Sequence, residues 1–283
     1  MITYVTPEEM QTAANRLRTD GRRIAVVPTM GALHAGHLAL IHEARNQGDV
    51  VITTIFVNRA QFGPTEDFDR YPRNLQSDSR LAQEAGTDIL FAPDADAMYP
   101  PKYQTYVTVR DVSFRLEGAV RPDHFRGVVT VVAKLLNITK PHAAVFGQKD
   151  AQQVAVVRRL LKDLNYDLRL VVVPTVREAD GLALSSRNVY LSNSQRKEAS
   201  VLFASLQRAD SMIRSGVRSR QVIHDAVQEA ITGGSSAVID YVSVADAETF
   251  EELEELRSGT SVVVSLAARF GSTRLIDNIC ITV

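Results

Sequence analysis

Cysteine is almost missing from this chain of 283 residues: Cys280 stands alone. A single thiol excludes an internal disulfide framework and any cysteine-rich metal site. It falls in the apolar run from Ile279 to Val283, where a small buried hydrophobe is expected. Excess charge of either sign is missing too, with a formal net charge of −1. No basic block and no interleaving of aromatic with basic residues appears, which argues against nucleic acid as a main partner. No apolar run reaches membrane-spanning length, so no membrane partner is expected. Met1-Ile2-Thr3-Tyr4 has neither the basic stretch nor the apolar segment of a signal peptide, and a cytoplasmic location is the default expectation. Internal repeats and low-complexity tracts are also lacking.

What the chain does have is alternation. Ile24 to Val27, Val50 to Val57, Ile89 to Phe91, Ala143 to Phe146 and Leu168 to Val173 are short runs rich in β-branched residues or bounded by turn signals, and they read as strands. Between them, Leu38 to Gln47, Leu75 to Ala85, Val128 to Thr139 and Ala151 to Leu164 carry apolar residues at helical spacing. The expected fold class is α/β, a doubly wound, Rossmann-like parallel sheet. After Pro174 the pattern changes. Val176 to Asn188 reads as irregular and as a hinge candidate. Ser194 to Arg214 and Arg220 to Ile231 read as two helices, and Ile239 to Val244, Val262 to Ala268 and Leu275 to Val283 as strands of an antiparallel sheet. The division expected is a first domain over 1–175 and a smaller α+β C-terminal domain over 176–283. Glu248 to Glu255 reads as a solvated acidic helix face.

The run Val26-Val27-Pro28-Thr29-Met30-Gly31-Ala32-Leu33-His34-Ala35-Gly36-His37 carries the most chemistry. It joins an apolar strand to a glycine-bearing turn and a helix start with two imidazoles. A helix N-terminus carries about half a positive charge and unpaired N–H donors, so an anion such as a triphosphate settles there readily. A spacing of three puts His34 and His37 on one face, at the carboxyl end of a sheet strand where ligands bind in such folds. Three readings stay open on these residues alone. A surface turn with two histidines needs no function. Zinc ranks below that, because a tetrahedral site wants a third and usually a fourth ligand and none stands nearby. A nucleotide gains from Gly36, which lets a phosphate approach the backbone closely.

The wording Pro-Thr-Met-Gly-Ala-Leu-His-x-Gly-His resembles the pantothenate synthetase family of the His-x-Gly-His nucleotidyltransferase superfamily. Further segments match in order across nearly the whole chain: Ile55-Phe56-Val57-Asn58 with Gln61-Phe62, Tyr71-Pro72-Arg73, Glu117-Gly118, and Arg121-Pro122 with His124-Phe125-Arg126-Gly127-Val128. Then come Phe146-Gly147 with Lys149-Asp150 and Gln152-Gln153, Asp180-Gly181-Leu182-Ala183 with Ser185-Ser186-Arg187-Asn188, and Leu275-Ile276-Asp277-Asn278. One departure stands out: Arg59 replaces the proline that usually follows Phe-Val-Asn, freeing a φ angle and adding a charge beside the expected pantoate pocket.

The resemblance implies that pantoate, β-alanine and ATP are the small-molecule substrates, condensed to pantothenate, AMP and pyrophosphate through a pantoyl adenylate. It implies catalytic roles for His34, His37, Lys149, Ser185, Ser186 and Arg187 around the phosphates. Gln61, Gln153 and Met30 are implied for pantoate. Amides suit that task, because an arginine on the carboxylate would blunt its nucleophilicity. Implied ATP contacts are Met30, Gly31, His37, Gly147, Gln148, Lys149, Asp150, Val176, Leu184, Ser185, Ser186 and Arg187. Phe62 is expected to serve ordinary packing, in the core or at the surface, and the stretch from Arg121 to Gly127 to support the phosphates. Mg2+ is expected with ATP and needs few protein ligands, with Asp78 as a second-sphere partner; no protein metal site is expected. A homodimer is implied, with the domain over 1–175 binding nucleotide and pantoate and the domain over 176–283 acting as a lid. The rival readings are another His-x-Gly-His nucleotidyltransferase and a non-enzymatic ATP-binding module.

Overall fold

The computed structural model describes residues 1–64 and 66–283. The chain forms two compact units, Met1–Gly147 with Val156–Pro174, and Gln148–Ala155 with Thr175–Val283.

The first unit is built on a parallel sheet. Its strands are β1 (Ile2–Tyr4), β2 (Ile24–Thr29), β3 (Val50–Ile55), β4 (Ile89–Phe91), β5 (Ala143–Gly147) and β6 (Arg169–Val173), in the order β1-β4-β3-β2-β5-β6. Every pairing is parallel. β2 and β3 are apolar along nearly their whole length because helices cover both faces of the sheet. The helices are α1 (Pro7–Thr19), α2 (Ala35–Gln47), α3 (Leu75–Glu84), α4 (Ala95–Met98), α5 (Glu117–Val120), α6 (His124–Thr139) and, from Val156 onward, α7 (Ala151–Asp163). The expected strands and helices of this half all appear, and β1 and α1 precede them. α1 starts as helices do, with Thr6 Oγ1 accepting from Glu9 N and Pro7 in the first turn. The chain runs from β2 to β3 on one side and later returns to β5 on the other. The carboxyl ends of β2 and β5 therefore flank the switch point, where ligands bind in open α/β sheets.

The second unit contains α8 (Asn193–Glu198), α9 (Val201–Arg214) and α10 (Arg220–Gly234), followed by β7 (Val238–Asp246), β8 (Ser261–Phe270) and β9 (Thr273–Thr282) in an antiparallel sheet. Its core joins Leu202, Leu206 and Ile213 of α9 and Ile223 and Val227 of α10 to Val264 and Leu266 of β8. Three expectations need correction here. The stretch from Ser194 to Arg214 is two helices, interrupted beside Ser200, whose hydroxyl donates to Lys197 O. Glu248 to Glu255 is no helix: Asp246 Oδ1 accepts from Glu248 N and Thr249 N, and buried Phe250 pulls the turn inward at φ +56°. Cys280 is exposed, since strand alternation gives the core face to Leu275 and Ile281 and turns residue 280 away.

Candidate active site

β2 delivers the chain into the turn that carries the imidazoles. Thr29 Oγ1 donates to Thr54 O at 2.7 Å and accepts from Gly31 N at 3.2 Å, tying the turn to β3. Gly31 and Ala32 take φ of +81° and +51°, and a Cβ at Gly31 would lie 2.9 Å from Asp78 Oδ2. Only glycine fits there without displacing that carboxylate. Asp78 is buried on α3 and accepts from Ala32 N and Leu33 N at 2.9 and 2.8 Å. Both of its oxygens are engaged by the turn, so Asp78 braces the backbone there.

His34 is the N-cap of α2, and its Nδ1 accepts from Gly36 N at 3.2 Å. His37 Nδ1 in turn accepts from His34 N at 3.3 Å, closing a reciprocal capping box. The rings lie 4.2 Å apart between centroids, tilted by 50°. A neutral imidazole that accepts through Nδ1 carries its proton on Nε2. Local backbone geometry thus makes each ring a donor through Nε2. Among the described residues no group of three or more His, Cys, Asp or Glu is arranged to hold a metal.

Gln61 lies buried at the end of the 3-10 turn Arg59–Gln61, with Nε2 donating to Met30 Sδ at 3.2 Å. Two residues expected at pantoate, Met30 and Gln61, are therefore in contact. Asn58 fixes the amide, since its Nδ2 donates to Gln61 Oε1 at 3.0 Å and to Gly127 O at 3.1 Å. Gly127 must be glycine, because a Cβ would fall 2.1 Å from Ala60 O. The Gln61 carbonyl accepts from His124 Nδ1 at 2.9 Å and from Arg121 Nη2 at 3.3 Å. Arg121 also grips Glu66 through two bonds of 2.6 Å and meets His124 Nε2 at 3.2 Å. Burial, reinforced by the Arg121 charge, pushes His124 down to about 4, so the ring is neutral at pH 7. Burial alone would raise Glu66, but Arg121 holds it below its ordinary value. Arg121 therefore braces Gln61.

Arg59 is exposed, with its guanidinium 4.6 Å over the Phe68 ring. Phe62 is half-buried and packs edge-on against Phe68 and Tyr71. Gly147 ends β5, and a Cβ there would meet only Leu40 Cδ2 at 3.8 Å. The protein's own packing does not demand a glycine at this position.

The remaining expected residues belong to the second unit. Gln148, Lys149 and Asp150 form a 3-10 turn leading into α7, which carries half-buried Gln153. Lys149 Nζ lies 3.8 Å from Asp150 Oδ1. The stretch from Val176 is a small hairpin rather than an irregular loop. Arg177 bridges Ala183, Glu178 N donates to Leu182 O, and Leu184 N donates to Val176 O at 3.0 Å. Gly181 makes its tip at φ +92°. Arg196 locks the hairpin from α8, bonding Glu178 Oε2 at 2.5 Å and Asp180 Oδ2 at 2.6 Å. Such bracing restricts bending inside the hairpin itself. Ser185 then caps a 3-10 turn, its Oγ accepting from Arg187 N at 3.2 Å.

Sequence reasoning named Asp78 and the stretch from Arg121 to Gly127 but not their bracing contacts, and it missed Glu66 and Arg196. Asn58 sits inside a quoted motif, so a signal existed. Arg196 sits on a helix whose polar positions look ordinary.

A family model described as pantoate-beta-alanine ligase matches residues 2–280. A pantothenate synthetase from Chloroherpeton thalassium is 51% identical over 274 residues, covering 96% of each chain. Another from Geobacter sulfurreducens is 50% identical, covering 95% of each. Among solved structures, the pantothenate synthetase of Thermus thermophilus is similar at TM-score 0.92 and 45% identity over 99% of both chains. The pantoate-beta-alanine ligase of Francisella tularensis, complexed with beta-gamma ATP and beta-alanine, has TM-score 0.80 and 34% identity over 99% of this chain and 97% of that one.

Proposed function

The chain belongs to the pantoate–β-alanine ligase family, and from that premise we propose how its residues carry out the pantothenate-forming reaction. Pantoate, ATP and β-alanine give pantothenate, AMP and pyrophosphate. The pantoate carboxylate attacks the α-phosphorus and pyrophosphate leaves; the β-alanine amine then attacks the acyl carbon of the pantoyl adenylate, loses a proton and expels AMP. Positioning and electrostatics can supply most of the acceleration in the first step.

The observation that carries this reading is the capping box at His34 and His37. With Nδ1 of each ring accepting from backbone, the Nε2–H groups are preorganised donors for phosphate oxygens that gain charge as pyrophosphate leaves. Lys149 and Arg187 add positive charge there, Arg187 through a planar fork, while Ser185 and Ser186 add hydroxyls. Gln61 and Gln153 hold pantoate through neutral amides, and Met30 offers its dimethyl carbon an apolar wall. Gly31, Gly147, Gln148, Asp150, Val176 and Leu184 line ATP. The open space at Gly147 favours close approach of the nucleotide.

Mg2+ is expected to accompany ATP, where it neutralises phosphate charge. The donor set fits an ion held by phosphate oxygens and water rather than by a protein cage, and Asp78 is committed to the turn. We also infer a homodimer in the cytoplasm, both on family likeness. Light scattering tests the dimer, where a monomer mass overturns it. Cell fractionation tests the location, where recovery outside the cytosolic fraction overturns it. Among the described residues no helix is long and apolar enough to cross a membrane.

The decisive experiment mixes the protein with ATP, Mg2+ and labelled pyrophosphate. Label should enter ATP only when pantoate is present, with no need for β-alanine. Exchange without pantoate, or none with it, overturns the adenylate route.

A further inference from the structure

The last strand carries a pair of adjacent buried polar residues with no part in the reaction so far. Asp277 and Asn278 are 3% and 4% exposed, and strand alternation aims them to opposite faces of the sheet. Asn278 Nδ2 donates to the backbone carbonyls of Gln148 and Lys149, at 3.0 and 2.9 Å, while its Oδ1 accepts from Gln148 Nε2 at 3.1 Å. Both amide protons are therefore spent on the turn that presents Lys149. Asp277 bonds Arg177 in bidentate fashion, at 2.6 Å to Nη1 and 2.9 Å to Nη2. Arg177 also donates to Gly181 O at 3.1 Å, and its guanidinium stacks 3.8 Å from the Phe203 ring centroid. Through Arg177 the carboxylate fixes the hairpin that leads to Ser185, Ser186 and Arg187.

We propose that Asp277 and Asn278 together are the positioning residues for the phosphate-facing groups of the second unit, Asn278 through the Lys149 backbone and Asp277 through the hairpin before Ser185. The proposal rests on the assignment of Lys149 and Arg187 to the phosphates. Two arguments separate it from ordinary packing. Asp277 shares its face with Leu275 and Ile281 of the core, where an aliphatic residue would stabilise the sheet as well; what a carboxylate adds is a fixed direction for one guanidinium. Moreover, β9 is paired to β8 without a break from Thr273 to Thr282, so one rigid strand sets the register of two segments remote in sequence. Groups that must meet one triphosphate gain from a common support, because a displacement of about 1 Å can cost on the order of a hundredfold in rate.

The test uses pantoate-dependent ATP–pyrophosphate exchange on the full chain, with Asn278→Ser, the size-matched Asn278→Asp, Asp277→Asn and Arg177→Lys. Each should lower kcat by about tenfold or more and raise KM for ATP, while KM for pantoate stays within about twofold. Double variants distinguish positioning from general destabilisation. In a Lys149→Ala background, Asn278→Ser should change the residual exchange by less than about twofold, and Asp277→Asn should be similarly muted beside Arg187→Ala. Equal fold losses in both backgrounds, or wild-type kcat and KM in the single variants, overturn the proposal. Lys149→Ala with wild-type exchange instead overturns the phosphate role of Lys149 and the Asn278 arm with it. Impaired Lys149→Ala beside a wild-type Asn278→Ser overturns the positioning role alone.

Discussion

The turn that ends β2 and the segments that carry Lys149 and Arg187 are each proposed to bind phosphate, yet they are held in different ways. Around His34 the supports are largely local: one ring caps Gly36 N and the other caps His34 N, with Asp78 and the Thr29–Thr54 bond as more distant braces. Around Lys149 and Ser185 the supports are side chains far along the chain, Asn278 on one segment and Asp277 through Arg177 on the other. Local support makes a short motif self-sufficient. Distant support makes a motif depend on the completed tertiary fold, so the two regions should fail differently when perturbed.

The largest contrast is expected at the histidines. His34→Ala and His37→Ala each remove a donor to the leaving pyrophosphate and should slow exchange by roughly a hundredfold to a thousandfold. The lost cap costs only about 1 kcal/mol of stability, so a thermal melt near that of the unsubstituted protein is the check. Acid should come next, and it should strike the first unit before the second. His124 titrates near 4 folded against an ordinary 6.5. Its contribution is complete above 6.5 and is lost as pH falls toward 4, on the order of 3 kcal/mol in all. Denaturant titrations over that window should show the loss, and His124→Asn should flatten it. The Arg196 tie acts in the other unit, where the hydrogen bonds from Arg196 hold Asp180 below its ordinary value, so that brace persists to lower pH.

Asp78→Asn keeps one acceptor for the two N–H groups of the His34 turn and sets a donor against the other. A loss of about 1–3 kcal/mol is expected, with slower exchange; unchanged stability would show that the turn holds itself. The smallest effect is expected at Arg196→Ala. Its pairs with Glu178 and Asp180 are partly solvated and such pairs contribute little, so a rise in KM for ATP of a few fold with an unchanged melt is the expected result.

The same contrast explains what the sequence made legible. The core strands and their helices follow from apolar runs and helical spacing, and the His34 motif reads directly because its supports are its own neighbours. Helix α1 is missing from the expected elements, although Thr6-Pro7-Glu8-Glu9 is a complete start signal. The tie of Asn278 to Lys149 spans 129 positions, and no local pattern encodes such a partner. Phe250 illustrates the opposite failure: the acidic residues around it suggest a solvated helix, but one buried ring and an Asp246 cap decide the backbone.

Exposed Cys280 makes this a one-thiol molecule with a ready attachment point. Its Sγ lies 3.0 Å from Gln148 Nε2, beside the residue that precedes Lys149. A fluorophore or spin label coupled to the unaltered chain would attach at a single known site and report when nucleotide reaches the lysine, giving a stopped-flow signal for ATP arrival separate from turnover.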